Sequence, residues 1–122
     1  VQKYELFKKV NKSVEEMDLV TARTYMEENF EALDENKHQL NRNARELLKF
    51  FAEKREKGEK PLTRQELSDL NSMNIYSTRF DVRGLKLLIK DKESLLMKKE
   101  ALGYLNSDAK TLLAGMGAIE KG

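Results

Sequence analysis

Apolar residues recur three and four positions apart along most of this chain, the spacing of helices that bury one face. Leu6, Phe7, Val10, Val14 and Met17 predict a first helix over residues 4–17, with Lys8, Lys9, Lys12 and Glu15 off that face. Asp18 follows, a residue whose side chain satisfies the free N–H groups of a new helix. The second helix carries Leu19, Ala22, Met26, Phe30 and Leu33 inward and Glu27, Glu28 and Glu31 outward. So short a break predicts an antiparallel hairpin. A third helix is expected over residues 37–57, from Leu40, Ala44, Leu47, Leu48 and Phe51. Gly58 suits its C-terminal stop and Pro61 follows, so residues 58–62 read as an internal loop.

Thr63-Arg64-Gln65-Glu66 has the pattern of a capping box, hydroxyl and carboxylate each answering the other residue's backbone N–H. The helix it opens, with Leu67 and Leu70, is expected to be short and to fade in Asn71-Ser72-Met73-Asn74, residues that favour turns. A long fifth helix is expected over residues 77–105, with Val82, Leu85, Leu88, Ile89, Leu95, Leu96 and Leu102 on its stripe. Gly84 and Gly103 each weaken it by about 1 kcal/mol relative to alanine. Asn106-Ser107-Asp108 predicts the cap of a last helix holding Leu112, Leu113, Met116 and Ile119. No strict internal repeat stands out. The expectation is an all-α fold: five to six antiparallel helices in a bundle or short helical-hairpin array, one domain over residues 1–122.

The first hairpin loosely resembles a tetratricopeptide unit. Tyr4, Leu6 and Phe7 stand on its first helix, and Ala22, Tyr25 and Met26 on its second. The resemblance covers that hairpin alone, and the glycine and closing proline of the motif have no counterpart. It is an analogy of structure.

Composition narrows the class. The chain has 122 residues, 39% hydrophobic and 36% charged, with one proline and no cysteine or tryptophan. Disulfides and cysteine-held metals are excluded, and alternating β-branched runs are missing. No apolar run reaches the ~20 residues of a membrane span, and Val1-Gln-Lys-Tyr-Glu-Leu-Phe holds no signal-peptide core. A cytoplasmic protein is expected, and the missing initiator Met reads as a trimmed chain or part of a longer one. Asn11-Lys12-Ser13 matches a glycosylation acceptor as such triplets often do by chance. The net charge of +2 names no partner. Its distribution says more, because residues 15–35 hold Glu15, Glu16, Asp18, Glu27, Glu28, Glu31, Asp34 and Glu35 against Arg23, whereas lysine and arginine dominate residues 37–64. Neighbouring helices of opposite sign can pack together or present two faces to partners.

No phosphate-binding glycine loop, nucleophile elbow or zinc helix is present. His38, the only histidine, lies in a charged stretch and reads as solvated. Glu27, Glu28, Glu31, Asp34 and Glu35 read as a wet helix face, since hard cations need oxygens converging from several elements. Neither catalysis, a cofactor nor a metal is expected. Two patterns point to partners. The first is basic: Arg79, Arg83, Lys86 and Lys90 recur at helical spacing. The stretch from Leu62 to Phe80 resembles a DNA-binding helix-turn-helix, which implies a reading helix from Tyr76 with Ser77, Thr78, Arg79 and Arg83 toward nucleic acid. The second is apolar: Leu105, Leu112, Leu113, Met116 and Ile119 crowd the C-terminal segment and predict a contact with another protein or a second copy in a homodimer. The favoured expectation is a non-catalytic protein-interaction module, regulatory or adaptor in role. The alternative is a nucleic-acid-binding regulator using Ser77, Arg79, Arg83, Lys86 and Lys90.

Overall fold

The structure, a computed structural model, describes residues 3–121, and among them every regular element is helical. Helix α1 (Lys3–Glu15) stops where Met17 takes the left-handed backbone, φ 57°. The Met17 and Asp18 N–H groups then donate to Val14 and Ser13 carbonyls, closing a Schellman stop. Asp18 at once caps α2 (Leu19–Glu28), its carboxylate accepting from the Thr21 hydroxyl at 2.8 Å. The two helices pack together as the expected hairpin.

Helix 2 is shorter than its apolar stripe suggests. Asn29 leaves the helical region at φ −129° and its amide donates to the Tyr25 carbonyl at 3.0 Å, so Phe30 begins a separate helix, α3 (Phe30–Glu35). This is the backbone competition that asparagine offers inside a helix. The expected start of the third helix is also displaced. Lys37–Gln39 forms a 3₁₀ turn and Asn41 caps α4 (Arg42–Lys57), accepting from Ala44 N–H at 3.0 Å. Gly58, at φ 78°, ends α4 as expected. The ion pair of Arg55 with Glu31 (3.8 Å) joins the basic helix to the acidic segment, and the Arg55 guanidinium lies 4.3 Å from the Phe30 ring centre.

The capping box is present: Glu66 N–H donates to Thr63 Oγ1 at 3.1 Å and Thr63 N–H donates to Glu66 Oε1 at 2.9 Å. The helix it opens does not fade at residues 71–74. It runs on as α5 (Arg64–Thr78), because the Asn74 amide is engaged by distant backbone and does not compete with its own helix. The long helix expected over residues 77–105 is not formed. Phe80, at φ 55°, repeats the Schellman stop, and Asp81 caps α6 (Val82–Ile89) by accepting from Gly84 N–H at 2.9 Å. Lys90 and Asp91 (φ 65°) then form a type II turn closed by Lys92 N–H on the Ile89 carbonyl. Two single-turn helices follow, α7 (Glu93–Leu96) and α8 (Lys99–Leu102). Asn106 caps α9 (Ser107–Gly115), which ends in a third Schellman stop at Gly117, φ 82°. Ile119 therefore lies past the last helix.

These pieces are one construction made twice, against the expectation of no repeat. In α1, Asn11 accepts from the Asn41 N–H (2.9 Å) and donates to the Gln39 carbonyl (3.2 Å). In α5, Asn74 accepts from the Asn106 N–H (2.9 Å) and donates to the Tyr104 carbonyl (2.8 Å). Asn41 and Asn106 are themselves the caps of α4 and α9. Asn11 and Asn74, Met17 and Phe80, and Asp18 and Asp81 are separated by one constant interval. At a slightly longer interval Leu40-Asn41-Arg42-Asn43-Ala44-Arg45-Glu46-Leu47-Leu48 returns as Leu105-Asn106-Ser107-Asp108-Ala109-Lys110-Thr111-Leu112-Leu113. Burial matches too: Phe7 with Leu70, Val10 with Met73, Ala22 with Leu85, Met26 with Ile89, Ala44 with Ala109 and Leu48 with Leu113 are all core. The N-terminal unit is α1–α4 and the C-terminal unit α5–α9. Their buried side chains form one cluster. Asn43 joins the units by donating to Asp91 (2.7 Å) and Glu93 (3.1 Å), as does the Val20 N–H by donating to the Gly117 carbonyl (3.0 Å). The Asn11 amide of the acceptor-like triplet is thus a structural clamp.

Candidate functional site

The basic stripe is divided. Arg79 closes α5, Arg83 and Lys86 stand on α6, and Lys90 begins the turn after it. All four are exposed, and among the described residues none is in an ion pair. Ser77 cannot face nucleic acid. It sits inside α5 at 3% exposure, and its hydroxyl has no hydrogen-bond partner among the described residues. Its counterpart in the N-terminal unit is the buried Val14, so the position belongs to the core. Tyr76 likewise opens no reading helix. It lies late in α5, and its ring takes the close approach of Gly84.

The apolar candidates also separate. Leu105, Leu113 and Ile119 are buried in the core and offer nothing to a partner. Leu112 and Met116 are half-buried and line an open groove. This groove, of about 630 Å³, runs between α6 and α9 and is flanked by the end of α1. Met17, Val82, Ile89, Leu112 and Met116 supply its apolar surface, while Glu15 and Glu16 come from the end of α1 and Lys86 and Lys90 from α6 and the turn after it. Local structure explains the placement. The left-handed stop at Met17 ends α1 beside the groove, Asp81 starts α6, and Gly84 lets α6 sit against α5. A Cβ on Gly84 would lie 2.8 Å from the Tyr76 ring.

The N-terminal unit has the corresponding groove between α2 and α4. Arg23, Met26, Glu27 and Phe51 line it at the positions that Lys86, Ile89, Lys90 and Met116 hold in the C-terminal unit. It measures about 900 Å³ and reaches Phe30 and Arg55. The sequence signal for either groove is weak, because only the packing of α2 and α4 on α1, and of α6 and α9 on α5, brings the lining residues together.

Two ionisable groups are shifted from their ordinary range. Burial disfavours the charge on Glu66, but the Thr63 N–H and the Lys98 ammonium 3.0 Å away outweigh it and hold the carboxyl below the usual range. Burial pushes the Glu93 carboxyl up, with the Asp91 charge adding, against hydrogen bonds from its own N–H and Asn43. Neither residue was singled out from the sequence, where both look like ordinary helix acids. Both join elements: Glu66 reaches the segment between α7 and α8 through Lys98, and Glu93 reaches α4 through Asn43. Among the described residues no three His, Asp or Glu side chains converge as a metal site, and His38 is exposed in its 3₁₀ turn. None of the described helices is long and apolar enough to cross a membrane. No protein-family model matches the chain, and neither does any curated protein or solved structure.

Proposed function

We propose that this protein is a non-catalytic helical interaction module that receives a helix of another protein in the groove between α6 and α9. The observation that carries this reading is the groove's make-up, apolar side chains of α6 and α9 together with acids from the end of α1 and lysines from α6 and the turn after it. Amphipathic helices are recognised by grooves of this kind. Each leucine or methionine anchored there contributes about 1.5–3 kcal/mol, set against the cost of association. The opposed charges select the direction in which a helix lies more than they add affinity. Selection of amphipathic helical peptides from a displayed library, followed by binding to Leu112→Asp, tests this. The enriched peptides should lose binding to the variant while circular dichroism shows it folded. Equal binding to both proteins would remove the groove as the site.

A second reading rests on the exposed, unpaired Arg79, Arg83, Lys86 and Lys90, which suit phosphate groups. The burial of Ser77 and the proximity of Glu15 and Glu16 to Lys86 and Lys90 weigh against it. Nucleic-acid binding through these cations would fall steeply with added salt. No mobility shift of DNA or RNA at low salt would end it.

A further inference from the structure

The duplication supplies a template for what the α6–α9 groove holds. In the N-terminal unit part of the equivalent surface, around Leu19 and α4, is covered from within the molecule, and the groove that remains lies beside that cover. Helix α7 packs on α4. Leu96, Met97 and Leu102 line a crevice with Leu19 and Arg23, and the Arg23 guanidinium donates to the Met97 carbonyl at 3.1 Å. Leu19, Leu47 and Phe51 are consequently buried, at 1%, 0% and 8% exposure. Their counterparts in the C-terminal unit are Val82, Leu112 and Met116, all half-buried and all lining the open groove. Apolar side chains thus stand at three positions that are buried in the N-terminal unit, with residues 93–102 packed over α2 and α4, and only half-buried in the C-terminal unit.

We infer that the α6–α9 groove binds a short leucine- and methionine-rich helical segment of a partner protein, seated as residues 95–102 are seated on the N-terminal unit, and carrying an acid where this chain has Lys99. The inference rests on the interaction-module reading and specifies its ligand. Lys86 stands where Arg23 stands and keeps a cation able to donate to a main-chain carbonyl at the end of the apolar turn. Lys90 stands where Glu27 stands. Glu27 pairs with Arg23 at 3.8 Å and lines the groove together with Lys99, so the change from Glu27 to Lys90 puts a second cation in place of an acid, and two neighbouring cations favour an acid in the docked segment. Glu15 and Glu16, from the end of α1, disfavour an acid beside them, which fixes the segment's direction.

Two labelled synthetic peptides test this on the intact protein by fluorescence polarisation. One has the sequence of residues 92–105 of this chain, and the other carries Lys98→Glu and Lys99→Glu. The acidic peptide should bind more tightly, by about 1.4- to 5-fold for each exposed charge pair gained. Lys90→Glu, a change on an exposed turn, should reverse the preference, and Met116→Glu should weaken both peptides at least tenfold. Equal binding of the two peptides whatever stands at position 90 would overturn the proposal. So would binding of neither. If neither binds while library-selected helices still require Leu112, the template fails and the groove reading survives. If the selected helices also ignore Leu112, both fall.

Discussion

Glu93 shows how much a single side chain does here. It is 6% exposed and accepts from Asn43 of the other unit at 3.1 Å, with Asp91 close by. Burial raises its pKa above the ordinary 4.5. A carboxyl raised on folding stabilises the fold fully below its unfolded value and less as pH climbs through the folded value. Glu93→Gln imitates the neutral form. It should raise the melting temperature at pH 7, and the gain should shrink to nothing as pH falls below 4.5, the ordinary value. Thermal melts of both proteins from pH 4 to 7 check this, and a gain independent of pH would contradict it. Asn11 and Asn74 make a related point. In a sequence an asparagine inside a helix pattern reads as a breaker, and Asn74 was read so. Here each amide is engaged on a cap in another part of its unit, a role that nothing adjacent in the chain announces.

Helix ends were legible wherever a local rule sets them. Asp18, Thr63 with Glu66, Asn106 and Gly58 all act as their residue types require. The breaks at Phe80 and Asp91, inside the expected fifth helix, were not, and both residues adopt left-handed backbone at a cost of about 1–2 kcal/mol each. The apolar spacing from Val82 to Leu102 continues across the turn at Lys90 and Asp91, because α6, α7 and α8 each bury a face in the same core. Gly84 was read as a weak point of a helix and is instead a contact. In an ordinary helix Gly→Ala stabilises by about 1 kcal/mol. Here the new methyl would press on the Tyr76 ring, so Gly84→Ala should destabilise by about 1–3 kcal/mol. Urea unfolding that shows a more stable variant would mean that α5 and α6 do not pack this closely.

The molecule consists of two similar units, yet its buried side chains form one cluster. The units are joined by Asn43 with Glu93 and by the Val20 N–H with the Gly117 carbonyl. Lys98, 7% exposed, crosses a shorter distance to pair with Glu66 and fixes the segment that covers α2. The N-terminal unit does not keep its core dry alone. Leu19 loses its cover without residues 96–102, and α4 loses α7. Urea unfolding should therefore be a single transition, with far-ultraviolet dichroism and tyrosine signals coinciding. Tyr4 and Tyr25 report on one unit and Tyr76 and Tyr104 on the other. Two separated transitions would show that the units fold independently.

The order of apolar and polar residues was enough to make this chain all-helical, to mark most caps and to name the core, since spacing and capping act over a few positions. What required the folded molecule was the duplication, the breaking of the fifth helix and the choice of which leucines face outward. Leu112 and Leu113 are adjacent and chemically identical, and only the packing of α9 against α5 buries one and leaves the other at a groove. A contact between distant segments leaves no periodic trace in either, so the candidate site came into view only with the packing.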